Sequence, residues 1–265
     1  MTESNIVTKD VRSLSVPAAV LAKLCRNPDV QEPPMEAVVY DLPEALNILQ
    51  VPFPDIKTRI SDKVVMDFGC GFGYQAVACA LAGAKHVIGV ESDPHRLEAA
   101  TELVESMPAL AGKVSFFAEP PAAIPADIIL SQNAFEHFLE PERVLEVMGD
   151  ALAPNGRILI GFGPPWYAPT GAHMTYFCKI PWVQLFFSEH TIMRVRSFYR
   201  DDGYTTYAEA GLGELSIAKF EKVIAQSSMT CDNLRYGCVK GLNFLGRTPL
   251  RELFINYVQC ELHKP

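Results

Sequence analysis

KVVMDFGCGFGYQ, residues 63–75, decides the fold of this chain. Val64, Val65 and Met66 supply the apolar run of a buried parallel strand, and AVACALA at 76–82 is rich in helix formers. Between them lies a turn with glycine at every second position, Gly69, Gly71 and Gly73. Glycine takes positive φ without a side-chain penalty and lets a ligand approach the backbone, while the following helix points free N–H groups into the same space. The stretch reads as a cradle for a nucleotide-like cofactor, with one acid, Asp67, just ahead of it.

Outward from the cradle the chain alternates. HVIGVE at 86–91 reads as a second strand, and PHRLEAATELVESM at 94–107 as a helix with proline at its start and Leu97, Ala100, Leu103 and Val104 on one face. Strands follow at 114–117 and 126–131, a helix at 141–152 and a fifth strand at 157–162. This rhythm predicts an α/β, doubly wound sheet with right-handed crossovers and helices on both faces. A helix at 216–226, capped by Ser216, leads to two last strands near 233–239 and 253–262. Joined without a helix, those two must be antiparallel. The expected fold is thus a mostly parallel seven-stranded sheet ending in an antiparallel hairpin.

Residues 163–213 interrupt the rhythm. Of the chain's 26 aromatic residues, 12 fall between Phe162 and Tyr207, so an aromatic-rich insertion after strand 5 is expected. It is short and proline-punctuated, which argues against a core of its own. Ahead of the sheet, 17–25 and 43–49 read as helices separated by a proline-rich link at 27–34, after a mobile tail up to about residue 14. Residues 1–58 are therefore expected to form a tail and helical cap, which covers the site or packs on the sheet, and 59–265 the cofactor domain.

Composition narrows the function. A net charge of −8 offers phosphate backbones no attraction, so no nucleic-acid partner is expected. Seven scattered cysteines without a CxxC pair argue for reduced thiols rather than disulfides or structural zinc. No leader-like apolar segment and no run of eighteen apolar residues occur, so a cytoplasmic location without stable membrane insertion is expected. The sequence carries no signal for or against a homo-oligomer.

Two readings of the glycine turn compete. Gly71-x-Gly73-x-x-Ala76, with Glu91 about twenty residues on, satisfies the dinucleotide pattern of an NAD(P)-dependent oxidoreductase. Asp67 opposes it: an acid facing the ligand repels a pyrophosphate and attracts an ammonium or sulfonium. S-adenosylmethionine carries both cations, and its ribose still needs an acid. VVMDFGCGFG at 64–73, VIGVESDP at 87–94, NAFEHFLEPERVL at 133–145 and LAPNGRILI at 152–160 stand together in one order and spacing. With them the chain resembles the class I S-adenosylmethionine-dependent methyltransferases of the small-molecule type.

That resemblance implies a Rossmann-like methyltransferase domain at 59–265 and S-adenosylmethionine as cofactor. It implies that Asp67 and the backbone of Gly69, Gly71 and Gly73 hold the methionine end, and that Glu91 takes the ribose hydroxyls. Ser92 and Asp93 would lie by the adenosine, Glu119 by the adenine, and Gln132 near the transferred methyl. Pro120 and Pro121 depart from the family pattern, since proline offers adenine no N–H.

Methyl transfer needs donor and acceptor in line, and a base only when the acceptor must lose a proton. The catalytic candidates are His173 and His137; Glu136 reads as turned away or solvated. Asn133, Trp166, Tyr167 and Tyr176 are the candidates for a small-molecule acceptor pocket, because the loop after strand 5 lies above the carboxyl edge. His190 reads as a helix cap, KIPWVQLFF at 179–187 as the insertion's own packing, and no metal is expected. A non-catalytic S-adenosylmethionine-binding module would carry the same cradle with the acceptor space filled.

Overall fold

The computed structural model describes residues 14–25 and 42–265. Residues 1–13 of the expected tail and the proline-rich link at 27–34 lie outside them. Among the described residues, three helices precede the sheet: α1 (Val16–Leu24), α2 (Leu42–Gln50) and α3 (Ile56–Ile60). The alternating part runs β1 (Val64–Phe68), α4 (Tyr74–Leu81), β2 (His86–Val90), α5 (Pro94–Glu105), β3 (Val114–Phe117), β4 (Ala126–Gln132), α6 (Pro141–Ala151) and β5 (Leu152–Phe162). Then come α7 (Val183–Phe186), α8 (Glu189–Arg196), α9 (Ile217–Gln226), β6 (Thr230–Cys238), α10 (Arg251–Phe254) and β7 (Ile255–His263).

The seven strands lie in the order β3-β2-β1-β4-β5-β7-β6. β1 is parallel to both its neighbours, with Asp67 opposite Gly89 on β2 and Leu130 on β4. From β1 the chain steps outward to β2 and β3, then returns to β4 on the other side. That reversal opens a crevice at the carboxyl ends of β1 and β4, where ligands of open α/β sheets bind. β7 inserts between β5 and β6 and runs antiparallel to each. The β6–β7 connection holds a 3₁₀ turn at Asn243–Arg247 and the single-turn α10, where the sequence reads as a loop.

Successive strand residues face opposite sides, which is why Val65 and Met66 are both apolar. Met66, Ile88 and Ile158 pack on one face with Leu145 and Met148 of α6 and Phe220 and Val223 of α9. Val65, Val87 and Ile128 pack on the other with Ala76 and Val77 of α4, Leu49 of α2 and Ile56 and Ile60 of α3. Ser216 caps α9 by accepting the Lys219 amide at 3.1 Å, and the Glu252 carboxylate accepts the Ile217 and Ala218 amides at 3.0 and 2.8 Å.

The insertion differs from the sequence reading. Trp166, Phe177, Ile192, Val195 and Tyr207 form a third buried cluster together with Ala18 and Leu21 of α1. The segment does own a core, because α1 packs on α8 and supplies the missing apolar face. Among the described residues, no helix is long and apolar enough to cross a membrane.

Candidate cofactor and acceptor site

The three cradle glycines do different work. All have positive φ, +81° at Gly69, +54° at Gly71 and +79° at Gly73. A Cβ on Gly69 would lie 2.6 Å from the Ala134 Cβ, and one on Gly73 2.7 Å from the Phe116 ring and 2.9 Å from the Ala100 Cβ. A Cβ on Gly71 meets no atom within 4 Å. Gly69 and Gly73 are therefore glycine for packing as well as for φ, and Gly71 is the position that faces open space. The Gly69 and Cys70 amides donate to the Val90 carbonyl at 2.9 and 3.1 Å, which ties the turn to the end of β2.

Asp67 ends β1 and is 1% exposed. It accepts the Ala76 amide in the first turn of α4, doing what the side-chain-free cap Gly73 does not. Its Oδ2 has no partner among the described residues. Burial first, and then the charge of Glu91, push this carboxyl up to about 7. Glu91, 8% exposed just past β2, accepts the Gly71 amide at 3.0 Å and the Asp93 amide at 2.9 Å. Asp93 caps α5 by accepting the His95 and Arg96 amides. Ser92 and Glu119 are exposed, at the turn after β2 and just past β3.

These groups fit a cofactor with a cationic end and a ribose diol. A buried, unpartnered carboxylate oxygen favours a positive group, the strand-end carboxylate of Glu91 suits two hydroxyls, and the bare face of Gly71 leaves room for close approach. An anionic pyrophosphate beside Asp67 and Glu91 is disfavoured.

At the end of β4, Gln132 is buried and bonded to Tyr257 of β7, its Nε2 donating to the phenol at 2.9 Å and its Oε1 accepting from it at 3.2 Å. Gly161 is bare beneath them, since its Cβ would stand 2.3 Å from both. Asn133 is exposed with φ +52°, and its side-chain oxygen accepts from Gln132 at 3.0 Å. Tyr257 escapes sequence reasoning because its partner lies 125 residues away.

A 3₁₀ turn at Phe135–His137 follows. His137 Nδ1 bonds the Gly211 carbonyl at 2.9 Å and His173 Nε2 the Pro164 carbonyl at 3.1 Å. A carbonyl only accepts, so each of those nitrogens carries the proton and the other nitrogen of each ring is left as an acceptor. The rings meet edge to face with centroids 5.0 Å apart. Burial lowers both imidazoles below their ordinary value, His173 to about 4, so both are neutral at pH 7.

Glu136 corrects the sequence reading. It is 5% exposed rather than solvated, its Oε1 accepts the Gly163 amide at 3.2 Å, and its Oε2 has no partner among the described residues. Burial pushes it up to about 8. With Trp166 and His173 of the insertion it lines a small cavity. Tyr167 is exposed, while Tyr176 lies under the Arg200 guanidinium and donates to the Met174 sulfur, so neither lines that cavity. His190 is exposed in α8, whose cap is Ser188. Among the described residues no cluster of His, Cys, Asp and Glu is arranged to hold a metal.

Residues 66–160 match the family model described as a methyltransferase domain. An uncharacterised methyltransferase of Mycolicibacterium gilvum is 35% identical over 116 residues, 44% of this chain and 45% of that protein. One of Mycobacteroides abscessus is 36% identical over 114 residues, 42% and 43% of the two chains. The match thus spans less than half the length of these curated relatives. Among solved structures, the magnesium protoporphyrin IX methyltransferase of Synechocystis PCC 6803 with bound SAH has a TM-score of 0.51 at 13% identity, over 84% of this chain and 83% of that one. An S-adenosylmethionine dependent methyltransferase from Mesorhizobium loti has 0.51 at 14% identity, over 83% and 95%. At these identities the likeness is one of fold. Asp67, the glycine turn and Glu91 lie inside the residues that match the methyltransferase-domain model, and the fold around them is the one seen in S-adenosylmethionine-dependent methyltransferases.

Proposed function

We propose that the chain transfers a methyl group from S-adenosylmethionine to a small organic acceptor bound beneath the aromatic cap. The observation that carries this reading is the pairing of a buried, unpartnered Asp67 oxygen with the strand-end carboxylate of Glu91 across the open face of Gly71. Asp67 would hold the cationic methionine end, Glu91 the ribose hydroxyls, and the Gly71 backbone the span between. Ser92 and Asp93, past the end of β2, and Glu119, past the end of β3, would border the adenosine.

When bound, the cofactor supplies a methyl group made electrophilic by its sulfonium. The chain's own part is to bind, orient and dry. The Gln132–Tyr257 pair fixes the floor between β4 and β7, and the cap cluster around Trp166 and Phe177 excludes water above it. In a dry site, aligning donor and acceptor accounts for much of the rate. The acceptor nitrogens left on His173 and His137 are poised to take a proton from an acceptor that must lose one. Their low proton affinity keeps them neutral and available at pH 7. A screen of small acceptors with detection of S-adenosylhomocysteine tests this reading. Turnover with at least one supports it, and cofactor binding without any product contradicts it.

A further inference from the structure

The small cavity beside Glu136 measures about 10 Å³, roughly the room of one water-sized group. Its walls include Glu136, Pro164, Trp166, His173 and Glu214. The amides of Trp166, Gly171, His173 and Leu212 around it are all committed, to the carbonyls of Leu215, Ala168, Thr170 and Tyr207 at 2.9–3.0 Å. Pro164 has no amide, and the His173 Nε2–H is given to the Pro164 carbonyl. Three of its lining side chains bear acceptors: Glu136, whose Oε2 has no partner among the described residues, Glu214, and His173, whose Nδ1 is the nitrogen not given to Pro164. Lys219 is the cation facing Glu214, and its Nζ donates to the Gly213 carbonyl at 3.2 Å.

We propose that this cavity is a subsite for an ammonium group, the amine end of a small acceptor. A primary ammonium is of water size, presents three donors, and brings a charge that pairs with Glu214 and favours the ionised form of the buried Glu136. Trp166, also among the lining residues, brings an aromatic side chain of the kind that favours a cation nearby. A quaternary ammonium is too large and has no donor. Glu136 is held in place for this task by the Gly163 amide on its other oxygen. Placing the ammonium on the methyl acceptor rests on the methyltransferase reading; the subsite itself does not.

The test follows the indole N–H resonances of the full ¹⁵N-labelled chain, which has two tryptophans, with Trp182→Phe to assign the Trp166 peak. Methylammonium chloride is titrated against sodium chloride and tetramethylammonium chloride at equal ionic strength. The expected result is a saturable shift of Trp166 with methylammonium alone, weakened at least tenfold in Glu136→Gln. If that variant fails to fold, Glu214→Gln, at an exposed position, is expected to weaken the response at least threefold. Absence of a saturable response, an equal response to sodium, or unchanged affinity in the folded variants overturns the subsite. Saturable methylammonium binding with no S-adenosylmethionine binding would instead count against the methyltransferase reading alone.

Discussion

The Glu91 carboxylate accepts the amide of Gly71 at 3.0 Å, so the crown of the glycine turn is held by the residue proposed to grip the ribose. Losing a charged acceptor from two such bonds costs several kcal/mol. Glu91→Ala is expected to weaken S-adenosylmethionine binding about 100-fold or more. Glu91→Gln, which keeps one acceptor, should weaken it about tenfold. Isothermal calorimetry checks both, and unchanged affinity in the alanine variant would show that the ribose site is elsewhere.

The glycines separate stability from binding. Gly69→Ala and Gly73→Ala drive a Cβ to within 3 Å of Ala134 and Phe116 at positive φ, so each should lower the melting temperature by several degrees. Gly71→Ala has room within the protein and pays chiefly for its φ of +54°, about 1 kcal/mol. Its melting temperature should shift less than those of the other two, while cofactor affinity falls. Thermal scans beside binding isotherms read the two effects separately, and the reverse pattern would refute this division of roles.

Asp67 links protonation to cofactor binding. Its carboxyl stands at about 7 in the fold against an ordinary 3.8, so its contribution to stability is intact below pH 4 and declines as pH rises towards 7. Glu136, at about 8 against 4.5, extends a slope of the same sign upward. A cation beside Asp67 favours the ionised form. Binding of S-adenosylmethionine near pH 7 is therefore expected to release about half a proton from a group that is half protonated there. Calorimetry in buffers of different ionisation enthalpy measures this, and Asp67→Asn should abolish it.

His173 should titrate low. With its imidazole held at about 4, the acid limb of kcat/KM is expected well below the pH 6.5 of an ordinary histidine. For an acceptor that must lose a proton, His173→Ala should reduce kcat by roughly 10² to 10⁴. A limb at 6.5, or an unaffected kcat with such an acceptor, would remove His173 from that role.

The strands and helices from β1 to β5 are legible in the sequence because they rest on local periodicity, and Asp67 and Glu91 are legible because they sit at strand ends. What the sequence hides is long-range. The placement of β7 between β5 and β6 depends on pairing rather than pattern, and so does the Gln132–Tyr257 bond. The core of the insertion needs α1 from the far end of the chain. Glu136 looks solvated in a polar turn, yet the segment at Gly213 crosses so close that a Cβ there would lie 2.3 Å from the Phe138 carbonyl. The glycine spacing signals the turn but not that two of the three are glycine to make room for Ala134 and Phe116.

Titrating the full chain with S-adenosylmethionine and, separately, with NAD by isothermal calorimetry tests the central claim most directly. The account predicts saturable binding of S-adenosylmethionine at one site per chain, lost in Glu91→Ala, and no comparable binding of NAD. Tight NAD binding with none of S-adenosylmethionine would contradict it.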